Sequence, residues 1–470
     1  FVAGALALGA ASTASAFVVE PEADRVVTIV VGGDLGFNRS RQTVEAKGVR
    51  KDVDLIAFAD ALADIAPDLV ADFGIANLET VVTDRNDLRP EEKQFNFRSH
   101  PEALRAAIGA GLTVFSLANN HGLDYGADGL LETLRHVEDA RGHGLRAAAG
   151  AGKNREQATR AAAFEVKGVR MLFGSLGIVT QGLGHHRAAP GHPGQAGYND
   201  EDFAEVTRRL AWTPGDYRIL SAHYGAEMQV RAEAEQIRDW REIAVKRHGI
   251  DLVLGHHPHV PQGVERVGNK VIFYGLGNFL HHGTADMAGK GICRDWGLLG
   301  RIHLVKGKGG RLELRAIEAL PLDDMHRRAR RLPAAEASAR IHALNSLSRN
   351  LGGEGAEPVL FTPQADGRGL YCVPGAETES GPIGALCKDY VGAPETPAEL
   401  RGRIAGSCGG RLTPRRETPE VATLTERAPR KLRRSGARSK AAARRKRVRV
   451  ARSRSPVQLR RSSRGFDGAN

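Results

Sequence analysis

Between residues 25 and 320 one pattern recurs: a short apolar run, a stretch with helical spacing, then another apolar run. The runs at 26–31, 74–78, 113–117, 170–174, 217–221, 251–254 and 270–274 are four to six residues long, the length of strands buried on both faces. The stretches at 54–66, 101–109, 127–140 and 233–248 predict helices; in the first, Leu55, Phe58, Leu62 and Ile65 share one face. Strands alternating with helices predict an α/β fold with helices covering both faces of the sheet. Segments 299–305 and 312–319 flank a Gly-rich turn, Lys306 to Gly310, and predict a hairpin of antiparallel strands that joins late.

The polar residues gather where the apolar runs stop. Asp34 follows Gly33, Glu79 follows Asn77 and Leu78, and Asn119, Asn120 and His121 follow Ala118. His223 ends another run, His256, His257 and His259 follow Gly255, and Asn278 follows Gly277. In folds of this class ligands collect beyond the carboxyl ends of strands. Carboxylate, amide oxygen and imidazole together are the donor set of a Mn, Fe or Zn site, and the absence of thiolates among them disfavours a structural zinc. His257-Pro258-His259 sets two imidazoles two residues apart in a turn stiffened by a proline, so that they reach two ions, or one ion and a substrate. Neither a phosphate-binding glycine loop nor a serine- or zinc-protease motif is present in the sequence.

The order GD, NLE, ANNH, HYG, GHHPHV, YGLGNF resembles the CapA family of capsule-synthesis proteins, named for poly-γ-glutamate capsule biosynthesis and similar to the calcineurin-like metallophosphatases. The resemblance covers about residues 25–325 and implies a metallophosphatase-like four-layer α/β/β/α sandwich. It implies one or two divalent ions. Asp34 binds the first, Glu79 bridges, Asn120 and His223 hold the second, and His259 with His257, preferred over His256, completes the set. The resemblance implies His121 as the catalytic group, protonating a leaving oxygen or steadying the transition state. Asp124 and Glu227 match acidic positions that hold the histidines or meet substrate, and Asn278 closes the site. Arg98 is a candidate for gripping an anionic substrate. One departure stands out: where the superfamily carries D-x-H, this strand reads Asp34-Leu35-Gly36. The implied activity is metal-dependent hydrolysis of a phosphoester or amide; the alternative is a non-catalytic scaffold for a polymer or its synthase on the same fold.

The ends have a different character. Residues 1–16 form an apolar run closing in Ala14-Ser15-Ala16, and read as a truncated secretory signal peptide; the expected location is periplasm, cell envelope or extracellular. In an exported protein the four cysteines favour disulfides, with Cys372–Cys387 and Cys387–Cys408 as the alternatives. Residues 326–415 form a C-terminal extension that starts with a helical piece, 333–351. Residues 416–470 are predicted to be a disordered basic tail, since they lack the apolar side chains of a core. Residues 427–464 hold 17 Lys or Arg and no acid; the net charge of +12, less these 17 and with Asp467 restored, leaves −4 for residues 1–426. The basic character therefore belongs to the tail, whose readings are a polyanion ligand, an anionic membrane, or no specific role. It has no aromatic residue among its charges, so base stacking lacks support and nucleic acid is disfavoured as a partner. The partners expected are an anionic polymer or phosphorylated substrate and a membrane synthase complex. No run of some 20 apolar residues follows the N-terminus, which excludes a multispanning membrane protein.

Overall fold

The computed structural model describes residues 25–37, 41–46, 49–54, 57–178, 186–282, 284–307 and 310–409, with backbone alone for 41–46 and 49–54. The expected signal peptide and the basic tail lie outside these residues.

The apolar runs build two sheets. The first has β1 (Val26–Gly36), β2 (Phe73–Leu78), β3 (Leu112–Ser116) and β4 (Ala147–Ala149) in parallel order on one side. The second has β5 (Ala162–Val166), β6 (Val169–Gly177), β7 (Tyr217–His223), β8 (Leu252–His256), β9 (Val264–Val267) and β10 (Lys270–Phe273), in the order β5-β6-β7-β8-β10-β9. A short strand, β11 (Asn278–His281), lies parallel to the end of β1. The predicted hairpin is present as β12 (Gly297–Lys306) and β13 (Leu312–Asp323); β12 pairs antiparallel with β1. Residues after 326 add to both sheets: Gly369–Cys372 pairs with β13, and Glu357–Pro358 pairs with β9.

Side-chain alternation along these strands makes the layers. Val27, Ile29 and Val31 of β1 face Ile219 of β7, Leu252 and Leu254 of β8 and Phe273 of β10 in a core between the sheets. Val30 points the other way, into a core shared with α1 (Phe58–Ala63), α2 (Pro101–Gly109) and α3 (Gly126–Asp139). Leu220, Val253 and Ile272 leave the second sheet on its outer side and meet Phe203, Val206 and Leu210 of α4 (Asp200–Trp212) and Trp240. The result is the expected four-layer α/β/β/α sandwich, with two mixed sheets back to back.

Three local expectations are revised. The helix predicted over 54–66 is shorter: α1 spans Phe58–Ala63, a 3₁₀ turn follows at Ala66–Leu69, and Asp54 ends a strand, Val49–Asp54, paired with Arg41–Ala46. Pro67 at the head of the 3₁₀ turn offers no N–H to continue the first helix. The helix predicted over 233–248 is present, but after Ala234–Gln236 it runs as a π-helix through Ile237–Arg247. Cys372 pairs with Cys387, whereas Cys408 pairs with Cys293 rather than Cys387. The terminal helix Ala398–Ser407 packs beside the loop at 291–294, where the Ser407 hydroxyl accepts from the Cys293 amide at 3.1 Å, and this brings the distant cysteine within reach. Among the described residues no helix is long and apolar enough to cross a membrane.

Candidate metal centre

Five strand ends, those of β1, β2, β3, β7 and β8, meet with β11 at one rim, and two glycines make the meeting close. A Cβ on Gly33 would lie 1.8 Å from the Gly277 carbonyl oxygen; without it, the Asp34 amide donates to that oxygen at 3.0 Å. A Cβ on Gly255 would lie 2.2 Å from the Tyr274 carbonyl oxygen.

Asp34 is fully buried. Its Oδ1 accepts from Asn77 Nδ2 at 2.9 Å and its Oδ2 from the His257 amide at 3.3 Å. His256 Nδ1 and His259 Nδ1 stand 3.5 and 3.2 Å from its two oxygens. Burial alone would raise this carboxyl, but His256 and His259 outweigh it and hold it well below the ordinary range. Glu79, also fully buried, goes the opposite way: burial and the Asp34 charge push it well above the ordinary range. Neither Glu79 oxygen accepts a hydrogen bond. Imidazoles surround it instead, with His223 Nε2 3.6 Å and His121 Nε2 4.0 Å from Oε1, and His281 Nε2 3.5 Å from Oε2.

Two overlapping groups have donors within 4.8 Å of one another: Asp34, Glu79 and His259, and Glu79, His223 and His257. They share Glu79. Asn120 Oδ1 lies 2.8 Å from His223 Nε2, on the side of the second group. Asn278 Oδ1 lies 2.9 Å from His259 Nδ1. His257 and His259 both take positive φ, 94° and 56°, a conformation that costs on the order of 1–3 kcal/mol per residue and persists where the surroundings enforce it. Burial holds His121 and His223 well below the ordinary imidazole range and takes His257 to about 4 and His281 to about 3. Burial also opposes protonation of His259, but Glu79 and Asp34 raise it to about 10. The neutral imidazole is the form that ligates a metal.

His121 sits to one side. Its Nδ1 is 2.7 Å from Asp124 Oδ2, and its ring lies under Phe97 with centroids 4.0 Å apart. Asp124 also accepts from the Phe97 amide at 2.5 Å and pairs with Lys93, whose Nζ donates to the Asn120 carbonyl at 2.7 Å. Burial, working against Lys93, raises Asp124 to about 7. With Nδ1 engaged by Asp124, the Nε2 of His121 faces Glu79.

The structure thus gathers Asp34, Glu79, Asn120, His121, Asp124, His223, His256, His257, His259 and Asn278. Glu227 is exposed, yet its carboxylate is within the same 4.8 Å spacing of His257 and His259. Arg98 is not gathered: its guanidinium donates to the Arg85 carbonyl and Asn86 and lies over Tyr125. Sequence reading assigned no role to Asn77, which donates to both Asp34 and His223 Nδ1 (3.0 Å), or to Asn119, which orders the Asn77 amide and the His121 backbone. It also passed over Lys93, Phe97 and His281.

An α/β sandwich with a buried carboxylate–amide–imidazole cluster at its strand ends describes a class. Residues 28–282 match the bacterial capsule synthesis protein PGA_cap family, and the chain belongs to it. It is similar to the capsule biosynthesis protein CapA of Bacillus anthracis, 28% identical over 45% of this chain and 50% of that one. It is similar also to the PGA biosynthesis protein CapA of Bacillus subtilis strain 168, 28% identical over 53% of this chain and 62% of that one. The matched region thus spans one half to about three fifths of these relatives' length.

Proposed function

We propose that this chain is an exported protein of capsule or envelope-polymer biosynthesis or processing, of the poly-γ-glutamate type, with a metal-dependent hydrolase site. One observation carries the hydrolase part: the buried Glu79 carboxylate, with no hydrogen bond to either oxygen and imidazoles on both sides. A buried carboxylate needs a proton or a cation, and the surrounding donors fit a cation. Nε2 of His256 and Nδ1 of His257 add to the unmatched polar atoms there.

Asp34, Glu79 and His259 would hold one divalent ion; Glu79, Asn120, His223 and His257 would hold a second. Mn, Fe or Zn suits this donor set. Such ions supply Lewis-acid polarisation of a phosphoryl or acyl oxygen and acidify water. The chain's own residues do the rest. Asn278 orients the His259 ring through Nδ1. Asp124, fixed by Lys93 and the Phe97 amide, orients His121; with its own proton donated to Nδ1 it leaves the imidazole proton on Nε2, which passes to the leaving oxygen as the Asp124 proton moves to Nδ1. The partners that suit this reading are an anionic polymer or phosphorylated substrate and a membrane synthase; the setting is the periplasm, envelope or extracellular space.

The test is hydrolysis of phosphomonoesters, phosphodiesters and γ-glutamyl peptides with added Mn²⁺. Turnover that requires Mn²⁺ and is abolished in His121→Ala is expected. Gly36, where an imidazole stands in the superfamily pattern, favours the second reading, a scaffold that binds polymer or synthase; a metal-loaded chain inactive on all three substrate classes would establish that reading instead.

A further inference from the structure

The two sides of Glu79 are alike in one respect. Oε1 has the His223 imidazole at 3.6 Å, and Oε2 has the His281 imidazole at 3.5 Å. Two donors on one ion, each about 2.0–2.2 Å from it, stand about 3–3.6 Å from each other. Both pairs have that spacing. His281 is fully buried and is brought there by strand pairing: β11 runs parallel to the end of β1, with Asn278 opposite Asp34 and His281 opposite Gly36. Strand β1 thus offers Asp34 and then a residue with no side chain, and the neighbouring strand carries an imidazole at that level. The His281 ring also faces the His259 ring, 5.9 Å between centroids, and so stands on the side of Glu79 that Asp34 and His259 share. Phe97 packs edge-on against it at 5.0 Å and limits how far the ring can swing.

We infer that His281 is a metal ligand of this chain, giving an imidazole nitrogen to the ion on the Oε2 side of Glu79 in the place β1 leaves empty at Gly36. The inference rests on the metal-centre reading above, and the experiment separates the two. The full chain is stripped of metal and titrated calorimetrically with Mn²⁺ alone, as the native protein, His281→Ala, His281→Leu and His282→Ala. The neighbouring His282 serves as control, because its Nε2 donates to the Arg327 carbonyl at 3.0 Å. Both His281 variants should bind one Mn²⁺ at least about 100-fold more weakly than native, beyond the about 10- to 100-fold typical of an outer-shell partner. His282→Ala should bind as native. Unfolding midpoints of the metal-free forms are measured alongside. Leu keeps most of the ring's volume and offers no donor atom, so it decides the matter if the Ala variant does not fold. Native-like Mn²⁺ binding in His281→Leu overturns the ligand assignment and leaves the metal centre standing. A native chain that takes up no Mn²⁺ overturns both.

Discussion

Glu79 sits where its charge is most costly, and the cost can be measured. Its carboxyl is raised well above the usual 4.5 by burial and by Asp34. A raised acid stabilises the fold when protonated, and that contribution is lost as pH rises from about 4.5 through the folded-state value. In chelator-treated protein, the native chain should therefore lose stability relative to Glu79→Gln on going from pH 5 to pH 8, as read by urea unfolding. Equal pH dependence of the two would mean Glu79 is not the buried acid described. Asp124→Asn tests the positioning of His121. Mn²⁺ content should be unchanged, while kcat on the substrate identified falls by about 10²-fold, within the range general acid–base groups contribute. At this scale the sequence was legible where a polar residue ended an apolar run, as Asp34, Glu79, Asn120 and His223 do. Lys93 and Phe97 stand in a polar stretch without periodicity, and their roles arise only when that stretch folds over His121. His281 follows a run already read as finished at Asn278.

Elements show a similar division. Most strands were readable because burial on both faces demands continuous apolar runs; the short strands β4, β9 and β11 were not, since three or four residues carry too little pattern, nor was β5, where Ala163 and Glu165 are exposed. The π-helical Ile237–Arg247 was read as an ordinary helix, for its apolar spacing does not separate the two. That segment is fastened by a buried ion pair. Arg241 Nε and Nη2 donate to the two Glu265 oxygens of β9 at 2.7 and 2.6 Å, Tyr274 Oη donates to the same carboxylate at 2.7 Å, and Nη2 reaches the Leu351 carbonyl at 2.6 Å. Removing one partner strands the other, so Arg241→Met should cost about 3–5 kcal/mol in denaturant unfolding. The double change Arg241→Met with Glu265→Gln should recover a large part of that loss.

Across the whole molecule, what local pattern cannot encode is which distant segments pair. The strand at 369–372 joins the first sheet and Cys408 finds Cys293, and neither partner is close in sequence. The two bridges close loops of very different size, with separations of 115 and 15 residues. In the chain-entropy account a loop of about 100 residues gains about 4.7 kcal/mol and one of about 15 gains about 3. Replacing both Cys293 and Cys408 by Ser should accordingly lower the unfolding free energy more than replacing Cys372 and Cys387. Charge, too, reads differently at this scale. The overall +12 belongs to residues 427–464, whereas the acids that face histidines lie at one rim of the sandwich.

The most direct measurement is the metal content of the purified full chain after equilibration with Mn²⁺ and removal of free ion, set beside a variant carrying both His223→Ala and His259→Ala. One to two ions per native chain, with the variant depleted, is the predicted result. A native chain holding no more metal than the variant would contradict the metal centre itself.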